Sequence, residues 1–219
     1  ARCGARNVVE GTARAFRAAA ASSPELGFEV PVWRRSDGFW VVSEDATTGR
    51  VFGANDNIQS STWSTLSALR TTVGGHPMAR LVNDVLNPYG MSRILFIDNK
   101  ADRHVHTFFD LLDSYAGKTR YVSKDYFAAK NTAVEAHKRG YVTWGYYYDR
   151  NMTAFAATQS RFDLLGLNYS APAADFLIMR ATGKAVIAHV ITTPSSASTA
   201  SCKGASGYMV SGVKQVVPN

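Results

Sequence analysis

Short strand-like runs alternate with helix-like segments along most of this 219-residue sequence. Apolar, β-branched and aromatic residues dominate 94–98, 141–148 and 162–168, and a helix-forming segment follows each run. A strand, a crossover helix and a second strand form a parallel βαβ unit. Repeated this often, the alternation predicts an α/β fold with one substantial core, either a barrel or an open sheet.

The C-terminal residues depart from this alternation. A β-branched strand is predicted over 184–192 and an alternating strand over 208–217, with a Ser/Thr/Pro/Ala-rich loop over 193–201 between them. Two strands joined by a polar loop are typical of a β-hairpin. We therefore expect an α/β barrel over residues 1–180 and a C-terminal β-hairpin extension over 181–219.

Composition and charge argue against two classes of protein. The chain carries 24 Lys and Arg against 17 Asp and Glu, but the basic residues are scattered, which favours a solvated basic surface over a nucleic-acid site. No apolar run is long enough to span a bilayer. The two cysteines, Cys3 and Cys202, match no zinc or redox spacing, so a disulfide and two free thiols are both open interpretations.

Acidic residues fall where a barrel would carry its chemistry. Two strand-like runs flank a Ser36-Asp37-Gly38 turn, and Glu29 and Glu44 lie near their ends. A third run ends in Asp98-Asn99-Lys100. Because active sites of α/β barrels lie at the C-terminal ends of the strands, these residues predict a polar site there. A pair of carboxylates of the glycosidase type is one interpretation of it.

Aromatic residues are a second candidate binding feature. Aromatic faces pack against apolar sides of sugars and lipids, and tyrosine hydroxyls orient polar groups. The alternative is that most of these rings pack in the core, with Trp144 as the exception. The residues concerned are Trp33, Trp40, Trp63, Trp144 and Tyr146 to Tyr148.

A series of short motifs follows one another in an order that is known from a family of enzymes. The motifs are Ala1-Arg2-Cys3, Glu10-Gly11-Thr12, Glu29-Val30-Pro31, Glu44-Asp45 with Arg50, Asp98-Asn99-Lys100, Trp144-Gly145-Tyr146 and 165–172. In this order they resemble the glycerophosphodiester phosphodiesterases, which are phospholipase-C-like phosphodiesterases. The resemblance covers residues 1–180 and implies a TIM-barrel-like fold. Only one helix fits between Ser123 and Gly140, which predicts an incomplete barrel or one closed by the C-terminal strands.

The resemblance also implies a chemistry whose proton carriers are missing from this sequence. The family's reaction uses two histidines as general acid and base, together with a divalent cation held by carboxylates. Ala1 and Glu44 occupy the two histidine positions here, and Pro31 occupies the position of one metal ligand. Both the proton shuttle and part of the metal cage are therefore expected to be lost.

The residues that remain define the candidate site. The candidate ligands for Mg²⁺ or Ca²⁺ are Glu29 and Asp98, with Glu10, Glu44 and Asp45 as weaker ones. The candidates for binding a ligand or its phosphate are Arg2, Lys100 and Trp144. The alternative to a metal at Glu29 is a buried carboxylate paired with Lys100 or Arg2.

These observations predict a catalytically impaired phosphodiesterase-like domain that acts as a binding or structural module. The resemblance extends to domains of phage tail tips, which suggests a location in a virion or outside the cell. Its partners there would be envelope glycolipid, polysaccharide or another anionic ligand, or neighbouring structural proteins. The alternative is an active metal-dependent phosphodiesterase whose acid and base have moved, with His104 and His106 as the candidates.

Overall fold

One eight-stranded β-sheet organises the protein, whose residues 8–216 we describe from a computed structural model. The strand order is β2-β1-β3-β4-β5-β6-β7-β8, in which β1 and β2 are antiparallel and every other neighbouring pair is parallel. The strands are β1 (Phe28–Arg34), β2 (Trp40–Val42), β3 (Leu95–Asn99), β4 (Tyr121–Tyr126), β5 (Val142–Tyr147), β6 (Leu164–Asn168), β7 (Val186–Ile191) and β8 (Gly207–Val210).

Helices connect the strands and cover one face of the sheet. They are α1 (Ala13–Ser22), α2 (Gly49–Phe52), α3 (Trp63–Ala68), α4 (Asn87–Tyr89), α5 (Val105–Asp113), α6 (Asn131–Lys138), α7 (Phe155–Thr158), α8 (Ala173–Arg180), α9 (Pro194–Cys202) and α10 (Val213–Val216). A π-helical turn, Leu81–Leu86, leads into α4. Across residues 8–216, none of the helices has the length and apolar character needed to cross a bilayer.

The sheet curls until its two ends approach each other. Glu29 of β1 and Met209 of β8 line one shared cavity of about 200 Å³. Among the described residues, no hydrogen-bonded ladder joins β1 to β8. The predicted α/β, TIM-barrel-like fold is therefore confirmed, in the form of an open, curled sheet with seven parallel strands.

The C-terminal strands do not form the predicted hairpin. β7 and β8 run parallel, with Ile187 opposite Gly207 and Ala188 opposite Tyr208. Parallel strands need a crossover, and α9 provides it. β7 also pairs with β6, so the sheet continues without a break past residue 180. The hairpin prediction was wrong because it rested on the loop predicted over 193–201.

That segment is helix α9, and its first residues explain why. The Thr193 side chain accepts a hydrogen bond from the Ser196 N–H at 3.1 Å. The Ser196 hydroxyl oxygen in turn accepts a hydrogen bond from the Thr193 N–H. Pro194 occupies the first turn, where its missing N–H has no helical partner in any case. These local signals specify a helix start in a stretch whose composition alone indicates a loop.

Apolar side chains fill part of the barrel interior. They form a small cluster separate from the larger clusters between the sheet and the helices. The cluster consists of Val122, Trp144 and Met209 with Phe96, Tyr146, Leu164 and Ile187 packed against it. Three of these side chains, Trp144, Tyr146 and Met209, also line the cavity described below.

Candidate functional site

A cavity of about 60 Å³ opens at the C-terminal ends of the barrel strands, and we call it the mouth cavity. Its walls come from β1, β4, β5, β7 and β8 and from the segment after β2. The lining residues are Glu29, Glu44, Lys124, Trp144, Tyr146, Tyr148, His189, Val190 and Met209. This is the end of the barrel at which the sequence predicts a polar site.

Five charged side chains of alternating sign form a charge chain in and beside this cavity: Glu29, Lys124, Asp98, Lys100 and Glu44. The Nζ of Lys124 lies 3.1 Å from Glu29 Oε1 and also contacts Asp98 Oδ2. The Nζ of Lys100 lies 2.9 Å from the same Asp98 oxygen and 3.1 Å from Glu44 Oε1. Each of the three carboxylates thus contacts at least one ammonium group.

Strand register places these groups side by side. Asp98 of β3 is directly opposite Lys124 of β4. Pro31 of β1 is opposite Asp98, and Glu29 lies two residues earlier on the same face of β1. The central members of the charge chain therefore come from three adjacent strands and from inward-facing positions.

The centre of the charge chain is withdrawn from solvent. Glu29 is 1% exposed, Asp98 4% and Lys124 8%. Burial by itself lowers the pKa of Lys124, but the carboxylates of Asp98 and Glu29 outweigh it and hold that pKa well above its usual range. For Asp98, burial by itself would raise the pKa. The positive charges of Lys124 and Lys100 outweigh burial, so the pKa of Asp98 lies below its usual value. Asp98 and Lys124 are therefore charged at neutral pH, as a buried ion pair requires.

Aromatic rings form the wall of the mouth cavity beside Lys124. Its Nζ lies 4.4 Å from the ring centre of Tyr146 and 5.9 Å from that of Trp144, within cation–π range. Burial, with the charge of Asp98, raises the pKa of Tyr146 to about 12. Tyr148 continues this wall, with its ring edge-on to Tyr146 at 6.4 Å.

A glycine makes room for the tryptophan of this wall. Trp144 is fully buried, and its indole lies against Gly166 of β6. A Cβ at position 166 would stand 2.7 Å from indole atoms, which is closer than carbon atoms approach in proteins. The absence of a side chain at Gly166 is thus a condition for the position of Trp144.

His189 of β7 completes the aromatic wall. Its ring centre lies 5.3 Å from that of Tyr148 and 5.8 Å from that of Tyr146, in both cases edge-on. Its Nε2 lies 3.0 Å from the backbone oxygen of Tyr147. A carbonyl oxygen only accepts hydrogen bonds, so Nε2 carries the proton and donates it. In the neutral ring, Nδ1 is then the basic nitrogen.

Asp125 is a buried carboxyl on the other face of β4, beneath the helices. The Ser123 hydroxyl donates a hydrogen bond to its Oδ2 at 3.0 Å. Burial, reinforced by the charge of Asp98, raises the pKa of Asp125 to about 8. This group is therefore mostly protonated at neutral pH and adds little charge to its surroundings.

The carboxylates predicted as metal ligands fit a divalent cation poorly. Glu29, Asp98 and Glu44 are paired with lysines of the charge chain. Glu10 and Asp45 both contact the guanidinium of Arg50. Within residues 8–216, no three His, Cys, Asp or Glu side chains are grouped closely enough to hold a metal ion. Mg²⁺ and Ca²⁺ need about six oxygen ligands, and this arrangement supplies ammonium groups instead.

The remaining predicted site residues are distributed as follows. Lys100 and Trp144 lie at the site, in the charge chain and in the cavity wall. Ala1 and Arg2 lie outside the described residues. His106 is exposed in a groove between α5 and α6, where its Nδ1 is 3.2 Å from Glu135 Oε1. Burial, with Arg34 and Arg103, lowers the pKa of His104, and neither histidine lines the mouth cavity.

Sequence reasoning missed two residues of the site, Lys124 and His189. His189 is a polar residue between apolar neighbours in Val-Ile-Ala-His-Val-Ile, and Lys124 is a charged residue inside the strand Tyr-Val-Ser-Lys-Asp-Tyr. Such residues are rarely buried without a partner or a function. This signal was present in the sequence, although it does not identify the partner.

Together, the fold and the site define an α/β barrel with a charge-compensated, aromatic-walled mouth. No protein-family model matches the sequence, and a sequence search finds no match among the curated proteins. Solved structures do match it. A phosphodiesterase from Oleispira antarctica, solved in complex with the product sn-glycerol-3-phosphate, gives a TM-score of 0.85 at 15% identity over 99% of this chain and 93% of that one.

Two further structures extend this similarity. A putative glycerophosphoryl diester phosphodiesterase from Agrobacterium tumefaciens gives a TM-score of 0.81 at 16% identity, covering 96% of this chain and 91% of that one. The glycerophosphodiester phosphodiesterase of Thermotoga maritima gives 0.75 at 19% identity, covering 97% and 95%. The chain therefore has the fold of the glycerophosphodiester phosphodiesterases, and the resemblance inferred from its motifs is confirmed at the level of the fold.

Proposed function

We propose that this chain is a glycerophosphodiester-phosphodiesterase-like domain that has lost metal-dependent hydrolysis and binds a hydroxyl-rich ligand in the mouth cavity. The observation that carries the proposal is the composition of that cavity. Its charged groups already compensate one another, and its wall consists of aromatic rings. At Glu44, where the family resemblance expects a proton-carrying histidine, a carboxylate is paired with Lys100.

The balance of charge favours a ligand without net charge. The charge chain holds three carboxylates and two ammonium groups, so these five groups offer no surplus positive charge to a phosphate. A hydroxyl group, in contrast, both donates and accepts hydrogen bonds. It can therefore bind beside the Glu29–Lys124 pair without displacing either ion.

The shape and the wall of the cavity favour a polyol or a terminal sugar. Tyr146 and Tyr148 present ring surfaces to the cavity, and aromatic rings pack well against the C–H faces of sugars. A volume of about 60 Å³ accommodates the end of a small polyol, since one water molecule needs about 10–15 Å³ by this measure. The glycerol part of the ligand in the Oleispira enzyme is of this chemical type.

An envelope glycolipid or polysaccharide would present such a group, and we propose it as the ligand class. The phage-tail setting suggested by the sequence stays a prediction. Neighbouring structural proteins of a virion stay an alternative class of partner. A binding assay on the isolated chain addresses the ligand without assuming this setting.

His189 favours a second candidate function, a metal-independent phosphodiesterase. It shares the mouth cavity with Lys124, and because its Nε2 donates to the Tyr147 backbone oxygen, Nδ1 is the ring nitrogen that would act as the base. A histidine base and a lysine that stabilises a phosphoryl oxygen are two of the groups that such a reaction requires. This candidate differs from the predicted active enzyme because the histidine is His189, not His104 or His106.

The test is a titration of the chain with glycerol, a panel of monosaccharides, sn-glycerol-3-phosphate and inorganic phosphate, followed by calorimetry. We expect saturable binding of a polyol or sugar that falls roughly fivefold in Tyr148→Ala, because one aromatic contact contributes about 1 kcal/mol. The matched control is Tyr115→Ala, a partly buried tyrosine at the end of α5, which should leave affinity unchanged. Binding of inorganic phosphate without polyol binding would contradict the proposed ligand class.

A parallel assay follows hydrolysis of glycerophosphodiesters with Mg²⁺, with Ca²⁺ and with a chelator. No turnover in any condition is expected. Turnover that needs the metal would overturn the proposed loss of function. Turnover that persists with the chelator and disappears in His189→Gln would establish the second candidate instead.

A further inference from the structure

The ammonium group of Lys124 occupies the space between the two strongest metal-ligand candidates. It contacts Glu29 Oε1 at 3.1 Å and also contacts Asp98 Oδ2. Both carboxylates are buried, so they need a positive counter-charge in order to remain ionised. Lys124 supplies that charge from within the chain.

We propose that Lys124 replaces a divalent cation as the permanent counter-ion of the barrel mouth. The buried carboxylates of the barrel mouth would then need no metal ion as a counter-charge, and the Lys124 ammonium would prevent a metal ion from binding there. This inference concerns the cation and does not depend on which ligand the mouth cavity binds. It can fail while the proposed binding function stands, and the reverse also holds.

The surroundings of Lys124 suit an ammonium ion better than a metal ion. On two sides the group meets carboxylate oxygens, and on a third it faces the ring of Tyr146 at 4.4 Å. An ammonium group forms three hydrogen bonds and gains from an aromatic face. A hard divalent cation gains little from a ring and requires about six oxygens.

The neighbouring strand positions point the same way. Pro31 is opposite Asp98 and has no side-chain oxygen to offer. The next cation, Lys100, shares the Asp98 oxygen that contacts Lys124. A divalent ion in place of the Lys124 ammonium would therefore share the Asp98 oxygen with the Lys100 ammonium, and the repulsion between the two cations would be larger than with a monovalent group.

The experiment measures metal binding directly, with terbium(III) as a luminescent substitute for Ca²⁺. An ion at the position of the Lys124 ammonium would lie about 6 Å from the Trp144 ring, which serves as the sensitiser. We expect no saturable sensitised luminescence from the unaltered chain. We expect Lys124→Ala to gain saturable binding at least roughly tenfold tighter than any binding by the unaltered chain, and Ca²⁺ to compete for it.

Three variants serve as controls. Lys124→Ala combined with Asp98→Asn should lose the gained binding, because one ligand is neutralised. Lys124→Arg keeps the positive charge and should bind no terbium. Lys118→Ala removes an exposed lysine paired with Asp113 and should behave as the unaltered chain does.

Two results would overturn the proposal. The first is saturable, Ca²⁺-competed binding by the unaltered chain that is lost in Asp98→Asn. The second is a folded Lys124→Ala variant that binds terbium no better than its Asp98→Asn double variant does.

If Lys124→Ala does not fold, its refolding on addition of Ca²⁺ supports the proposal. If Ca²⁺ does not refold it, urea unfolding decides: Lys124→Arg should be clearly more stable than Lys124→Gln, and equal stabilities would overturn the proposal.

Discussion

Two networks of alternating charges in this molecule have similar composition and opposite surroundings. The charge chain lies in the barrel mouth, where its central residue Asp98 is almost fully buried. The second network lies on the outside of the barrel and centres on Arg139, which pairs with Asp110 at 2.7 Å and with Asp113 at 2.9 Å. Asp113 also pairs with Lys118 at 3.0 Å. We call this second set the outer network.

The comparison shows that the number of ion pairs does not determine how much each pair contributes to stability. Water around the outer network already solvates its charges, so each pair there contributes about 0–1 kcal/mol. In the barrel mouth, removing one partner leaves an uncompensated charge with little water, at a cost of about 3–5 kcal/mol. A count of salt bridges would rate the two networks as similar, whereas burial predicts very different responses to mutation.

The largest effect is expected from neutralising the shared carboxylate of the charge chain. Asp98→Asn leaves two ammonium groups, those of Lys124 and Lys100, without their common partner. We expect a loss of about 3–5 kcal/mol in the free energy of unfolding by urea. The matched change in the outer network, Asp110→Asn, should cost less than about 1 kcal/mol. Equal losses in the two variants would refute the comparison.

A second effect concerns pH and the buried Asp125. Burial raises its pKa to about 8, so the folded chain keeps this proton over a range in which the unfolded chain has lost it. Its contribution to stability is thus full below about pH 4 and is lost as the pH rises to about 8, by at most roughly 1.4 kcal/mol per pH unit. Asp125→Asn should remove this slope and stabilise the protein at neutral pH. Urea unfolding at several pH values measures both.

The outer network provides the opposite pH response. Burial would raise the pKa of Asp113, but hydrogen bonds from Lys118, Tyr141 and Arg139 outweigh it and lower this pKa. Its contribution to stability is present above the unfolded pKa near 4 and is lost as the pH falls through the folded value. Asp113→Asn should therefore weaken the acid response and leave the slope between pH 4 and 8 unchanged. A change in that slope would contradict the assignment to Asp125.

A smaller effect is expected at the end of the charge chain. Lys100→Met removes one cation. Asp98 is still paired with Lys124, however, and Glu44 is partly exposed to water. We expect a loss of about 1–3 kcal/mol, between that of Asp98→Asn and that of a surface pair. Lys118→Met in the outer network is the control, with an expected loss below about 1 kcal/mol. Chemical denaturation of both variants ranks them.

The smallest effect should depend on salt. Arg139→Gln is expected to cost about 1 kcal/mol or less at low ionic strength, and the loss should shrink as sodium chloride is added. The loss in Asp98→Asn should change little over the same salt range, because buried pairs are weakly screened. A salt-sensitive Asp98→Asn variant would indicate that water reaches the charge chain.

Much of the fold follows from local signals in the sequence. The segment 94–98 predicts the buried strand β3, and the helix-forming segment expected after 162–168 is observed as α8. Periodicity and β-branched residues suffice for elements of this kind. Helix α9 was missed because its Ser, Thr and Ala residues carry no apolar periodicity, although the Thr193-Pro194 start was there to be noticed.

The site is harder to predict because it depends on how the sheet curls. Glu29 and Asp98 could be assigned to one site, since their strands carry recognisable motifs. Lys124 and His189 have no such motif, and His189 is 160 residues from Glu29 in the chain. Only the curvature of the sheet brings β7 towards β1 around the same cavity. The sequence indicates that a charged or polar residue lies inside each strand, while the meeting of these residues at one cavity is a property of the curled sheet.

Gly166 has a consequence for how such a site can change over generations. The indole of Trp144 fills the space that a side chain at position 166 would need. A single codon change from glycine would force the indole out of place, and a single change of the tryptophan to a small residue would leave a void beside the glycine. Each step alone yields a less stable protein, and only both together restore the packing. The two positions are therefore expected to be replaced as a pair. Trp144 should thus persist in the wall of the mouth cavity in related proteins, even where they bind a different ligand.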